Sequence, residues 1–240
     1  MYVQDNSHLT ITSIQGDGSS AGTLRAESGV INHAGIRGGS ITVKGGTVIA
    51  KGEYGAAGIG GNAWGKIDNF SISIEGGTVE ASGGWGGAGI GSANRIGGNV
   101  NINISGGTVK AVGGQGSAGI GIGYESGAKS RITITGGRTE GKGGDRYAGE
   151  NTTSGVGTGS KYDNVEFDIN ERALIMHGLR SANEKVTAEE INQKTTRMGR
   201  CAVIYFPTDE SGEDASISLT PETEVMYPGS SKQFTAAVKE

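Results

Sequence analysis

Between Ile41 and Gly144 the apolar residues recur in a fixed phrase. Each copy opens with two of them separated by one polar residue: Ile41/Val43, Ile72/Ile74, Ile102/Ile104 and Ile132/Ile134. A Gly-Gly pair follows, and alternation resumes around Val48, Val79 and Val109. Period two belongs to a strand with one face buried, whereas a helix would space its apolar residues three and four apart. In Ser71–Glu75 the order is Ser, Ile, Ser, Ile, Glu; Gly76-Gly77 interrupts it, Thr78–Ser82 resumes it, and Gly83-Gly84 interrupts again. Such Gly pairs read as corners, because they accept backbone angles closed to other residues. Three copies continue into a third short segment, AAGIGG at 56–61, GAGIGS at 87–92 and SAGIGI at 117–122.

Ile41, Ile72, Ile102 and Ile132 mark one place in each copy, so the period is 31, 30 and 30 residues. Self-similarity at that period is the signature of a solenoid. A flexible Gly-rich linker would share the composition without keeping the apolar residues in register. Three short segments per turn predict an all-β, three-sided right-handed parallel β-helix of about 30 residues per coil, its coils about 4.8 Å apart. Like then stacks on like: Ile41/Ile72/Ile102/Ile132, Val43/Ile74/Ile104/Ile134, Val48/Val79/Val109 and Ile59/Ile90/Ile120 form the interior. Outside, Ile49, Glu80, Lys110 and Glu140 share a column, and opposite charges alternating between coils disfavour a register slip. Asn69, Asn99 and Asn164 share a corner that Lys129 interrupts, and they read first as an amide ladder along the axis.

The β-helix is assigned to 1–170. Residues 1–40 read as one or two imperfect coils, since Leu9–Thr12 alternates, Thr23–Ala26 forms a second strand, and Ala34–Gly39 echoes the AGIGG phrase. After Gly144 the fourth copy carries about five extra residues within Asp145–Gly159, an insertion that must bulge from the scaffold and is a natural place for binding groups. Beyond Asn170 the Gly-rich pattern stops. Residues 171–208 read as a small α/β cap over the open coil end: a strand at Ala173–His177, a helix from the capping box at Thr187–Glu190 to about Arg197, and an apolar strand at Arg200–Phe206. Residues 209–215 form an acidic linker.

Residues 216–240, with Leu219-Thr220-Pro221, Pro228-Gly229-Ser230 and Gln233-Phe234-Thr235-Ala236, resemble the first two strands of a group 2 bacterial immunoglobulin-like domain. That resemblance implies a spacer in a secreted or cell-surface bacterial protein. The repeats themselves, GGTV-x-A-x-GG followed by AGIG, resemble glycine-rich parallel β-helix segments of large bacterial surface proteins in the pectate-lyase-like superfamily, over roughly Leu9 to Ile169. Lyases, hydrolases, carbohydrate-binding domains and adhesins all occur in that group, so the fold alone does not select among them.

Composition fits a thin core with many corners: 47 Gly and 34% apolar residues in 240. A net charge of −4 without a basic run argues against nucleic acid as a partner. No apolar stretch approaches a membrane span, so this segment does not insert into a membrane. Residues 1–20 have no basic start followed by an apolar run, and an extracellular or cell-surface location therefore implies a leader upstream. The single Cys201 has no partner for an internal disulfide and reads as a buried core thiol.

An enzyme on this scaffold would need convergent carboxylates, alone or with calcium and a basic residue. The first outward face is nearly free of acids, and Glu80 and Glu140 alternate with Lys110 as a charge ladder. The best acidic group is Asp145, Asp163 and Asp168 with Glu150 and Glu166, around the inserted loop. His8, His33 and His177 are isolated and read as surface or packing residues. No cofactor or metal is indicated by the residues, with calcium left open as the one candidate ion. Tyr54 and Trp85 occupy equivalent corner positions, followed by Gln115 and Asp145, and Trp64, Arg95 and Tyr124 or Glu125 occupy a second set after AGIG. Exposed rings beside polar groups suit stacking on sugar faces. The competing reading has each ring shielding a Gly-rich corner. The column Thr47/Thr78/Thr108 resembles ice-binding arrays but is broken by Arg138. The expected function is a bacterial binding or adhesive module for glycans or host surfaces, with ligand contacts at Tyr54, Trp64, Trp85 and Tyr124. A glycan-cleaving enzyme and a passive stalk are the alternatives.

Overall fold

The computed structural model describes residues 1–4, 7–13, 22–64, 69–145, 153–159, 164–194 and 198–207. The alternating segments form three sheets, one per side of a right-handed parallel β-helix. The first contains β1 (His8–Ile11), β4 (Ser40–Val43), β7 (Phe70–Ile74), β10 (Asn99–Ile104), β13 (Lys129–Ile134) and β16 (Val165–Ile169), in that order. The second stacks β2 (Thr23–Glu27), β5 (Thr47–Lys51), β8 (Thr78–Ser82), β11 (Thr108–Val112) and β14 (Arg138–Lys142). The third consists of two-residue strands from the AGIG phrase: β3 (Ile36–Arg37), β6 (Ile59–Gly60), β9 (Ile90–Gly91), β12 (Ile120–Gly121) and β15 (Val156–Gly157). Among the described residues before Ser40, β1, β2 and β3 therefore give one strand to each sheet of a first coil, which Tyr2 extends by bridging Arg37 in parallel.

Register follows the repeat. Ile41, Ile72, Ile102 and Ile132 are paired in sequence across the first sheet, and Val48, Val79 and Val109 across the second. Every one of these side chains is buried, the interior being a set of aliphatic ladders that runs from Val3 to Ile204. A one-residue slip would turn an entire ladder to solvent, which is why register is strongly specified. Outside, Lys110 does face Glu80 and Glu140. Among the described residues, however, no ion pair joins them; Glu140 bonds Arg138 in its own strand at 2.8 Å. The alternating charges are therefore neighbours across coils without closed salt bridges.

The C-terminal end is closed by a change of strand direction. β19 (Cys201–Tyr205) pairs antiparallel with β14, β17 (Leu174–Gly178) pairs with β19, and β18 (Glu184–Val186) pairs with β17. The predicted helix is the short α1 (Ala188–Asn192), opened by the capping box of Thr187 and Glu190. Hydrogen bonds from the Thr187 backbone and hydroxyl hold the Glu190 carboxyl below its ordinary range. Asn192 then seals the edge of β16: its Oδ1 accepts from Ile169 N at 2.9 Å and its Nδ2 donates to Ile169 O at 2.8 Å. Such coverage blocks end-to-end pairing of strands. One expectation fails here. Cys201 is half-exposed, not a core thiol, because alternation in β19 turns Ala202 and Ile204 inward and Cys201 outward, its thiol 3.4 Å from Arg180 O.

The linker at 209–215, the immunoglobulin-like opening at 216–240, Glu150, Asp163 and residues 146–152 of the inserted loop lie outside the described residues. Within the same stretch, Val156–Gly157 resumes the third sheet in register with Ile120–Gly121.

Candidate functional site

The corner between the second and third sheets repeats with little change in backbone. Gly55, Gly86 and Gly116 donate in turn to the carbonyls of Trp85, Gln115 and Asp145. Tyr54, Trp85, Gln115 and Asp145 thus form one outward column, the expected one. Asn32 N donates to Tyr54 O in the same manner, which adds Ile31 at the head of the column. The turn needs a left-handed residue at its next position, supplied by Asn32 at φ 69° and by Gly55, Gly86 and Gly116 near 80°.

The rings in this column meet face to face. Tyr54 and Trp85 stack with centroids 5.0 Å apart and planes within 7°, and Tyr124 packs edge-on against Trp85 at 5.3 Å. Trp85 Nε1 donates to Gln115 Oε1 at 2.6 Å. The column ends in an ion pair between Asp145 and Arg200, which ties the coil to the cap. Rings spaced by one coil reach stacking distance without adjustment, and each such pair contributes about 0.5–1.5 kcal/mol beyond its burial. Half-buried Trp85 spends one face on Tyr54 and its indole N–H on Gln115. Tyr124 covers its edge, so three of the expected ligand contacts, Tyr54, Trp85 and Tyr124, form one cluster of rings. Trp85→Ala should lower stability by about 2 kcal/mol, read as a fall in melting temperature.

The loop after AGIG folds back onto this corner. Ala63, Asn94 and Tyr124 donate to the carbonyls of Asn32, Gly55 and Gly86, which carries the following residues, Trp64, Arg95 and Glu125, to the surface. Their equivalence settles the register that the sequence left open: Glu125, not Tyr124, lies in the Trp64 column. All three are left-handed, with φ of 58°, 52° and 48°. The Arg95 guanidinium sits 4.9 Å from the centroid of the Trp64 ring, and Arg95 Nη2 bonds Glu125 Oε2 at 2.7 Å. Trp64 remains 54% exposed and Tyr54 45%.

Of the described acids, Glu166 and Asp168 lie together beside Arg131, and Asp145 lies apart from them. Asp145 stands at the corner column with Arg200, while Asp168 faces outward from the first sheet, 3.9 Å from Arg131. Among the described residues no group of three His, Cys, Asp or Glu side chains could hold a metal ion. His8 and His33 are exposed, and half-buried His177 accepts from Gly199 N at 3.0 Å within the cap.

A family model described as a beta helix repeat matches residues 41–63, 72–94 and 102–123. Those stretches cover the first strand, the Gly-Gly corner, the second strand and the AGIG segment of three successive coils, so the similarity falls on the elements that build the solenoid. No curated protein and no solved structure matches the chain.

Proposed function

We propose that this chain is a binding module of a larger extracellular bacterial protein, which holds the apolar face of a neutral sugar residue on Trp64, bordered by Tyr54. The observation that carries this reading is the setting of Trp64. A left-handed position favours Gly or Asn, and a bulky side chain there costs about 1 kcal/mol or more. Burial does not offset that cost, since the ring stays 54% exposed. One face rests against Arg95, and Arg95 is itself held by Glu125. The result is a preoriented ring with its remaining surface in solvent, the arrangement that lowers the entropy lost on binding. Because Glu125 balances Arg95, the corner favours a neutral ligand over an anion.

A glycan array should give weak binding that salt hardly changes, as stacking is not screened. Trp64→Ala should lose about 1–3 kcal/mol of affinity while melting within about 0.5 kcal/mol of the parent. An array without signal, or signals that survive Trp64→Ala at full strength, would count against the proposal.

A further inference from the structure

Where the first sheet approaches the cap, its outer face forms a depression of about 570 Å³. Its floor is a row in strict register, Asn101 beside Arg131 beside Glu166. Asn99 and Lys129, also paired, form one rim, and Lys194, just beyond α1, reaches it from the cap. Three cations and one carboxylate therefore line the depression, and Asp168 lies 3.9 Å from Arg131, leaving a net excess of positive charge in a chain whose net charge is −4. A concave surface with an excess of one sign concentrates ligands of the other.

Two details separate this surface from an ordinary solvated face. The first is that Arg131 is loosely held: its nitrogens lie 3.8 Å from Glu166 and 3.9 Å from Asp168, too far for hydrogen bonds. Its planar fork of donors remains available for a bidentate oxyanion. The second is Lys129. Asn99 N and Nδ2 both donate to Asn69 Oδ1, at 2.9 and 3.1 Å, so the corner is built as an amide ladder. Lysine has no acceptor with which to continue it, and a purely structural column would be better served by Asn at 129.

We propose that this depression binds the carboxylate or sulfate groups of an acidic polysaccharide, with Lys129, Arg131 and Lys194 holding the oxyanions and the Asn99 and Asn101 amides bonding sugar hydroxyls. The site is independent of Trp64 and takes an anionic ligand where Trp64 takes a neutral one. Attraction between exposed groups is screened, so binding is strong at low ionic strength and fades as salt is raised.

The test is affinity electrophoresis of the full chain through gels containing heparin, polygalacturonate or, as the neutral control, dextran. Retardation by either polyanion, reduced by salt and exceeding that by dextran, is the expected result. Heparin alone would assign sulfate, polygalacturonate alone carboxylate, and both a general oxyanion site. Lys129→Asn, which restores the ladder, should weaken binding about threefold without lowering the melting temperature, and Lys129→Asn with Arg131→Gln should weaken it about tenfold. Trp64→Ala should leave it unchanged. Retardation no greater than in dextran overturns the proposal. So does polyanion binding that the double variant retains in full or that Trp64→Ala removes.

Discussion

Val79→Asp is expected to abolish cooperative folding of the central coils. Val79 is fully buried and stacks between Val48 and Val109 in the second sheet. A carboxylate there would have aliphatic neighbours along the ladder and no described cation within the interior. It must stay charged and unsolvated or take up a proton and remain poorly bonded. The cost is about 4–5 kcal/mol, at the upper limit of single-substitution effects. In a solenoid each coil is stabilised by its neighbours, so the loss spreads to the coils of β5 and β11. Thermal melting by circular dichroism should show a lower and broader transition than the parent. A variant that melts like the parent would mean that Val79 does not lie in the core.

Gly91→Ala should be nearly as damaging, for a reason of backbone approach and not of burial. Gly60, Gly91, Gly121 and Gly157 stack in the third sheet with φ between 125° and 136°. A Cβ at Gly91 would come within 2.1 Å of Gly121 O, a backbone atom fixed by Ser92 N donating to it at 2.8 Å. Neither can move without breaking the ladder between coils. Strain and overlap together should cost about 3 kcal/mol or more. Gly127→Ala is the matched control. Its Cβ would meet nothing nearer than Ile96 O at 4.0 Å, and stability should hold or rise by about 0.4–1 kcal/mol. Urea midpoints of the two variants against the parent measure the contrast.

The coils were legible in the sequence because the code for a solenoid is local and repeated. The alternation at Ile72/Ile74, the corner at Gly76-Gly77 and the phrase at Ala88–Gly91 each specify one side, and the period alone brings like residues into register. The corner column of Tyr54, Trp85, Gln115 and Asp145 was legible for the same reason. Orientation within the column was not. That Tyr54 and Trp85 turn their faces to each other depends on side-chain rotamers and on the hydrogen bond from Trp85 to Gln115, for which no spacing rule exists. Contacts between repeat and cap were likewise hidden. Arg200 meets Asp145 across 55 residues, and Asn192 seals Ile169 across 23, in a segment that no longer follows the period. The outward turn of Cys201 depended on the phase of a five-residue strand, where one position decides the face. Trp64 was singled out as exposed, but the left-handed backbone that makes its placement costly became visible only with the loop that folds back onto the corner.

The most direct test of the recognition surface follows Trp64 itself. Trp85→Phe keeps a ring in the stack and leaves Trp64 as the sole tryptophan, since the chain has two. Iodide quenching of this variant reports the accessibility of an exposed indole. With the glycan that gives the strongest array signal at saturation, quenching should fall and the emission should shift to shorter wavelength as a sugar ring covers the exposed face. Unchanged quenching and emission at saturating glycan would show that the ligand binds elsewhere and would contradict the assignment of Trp64.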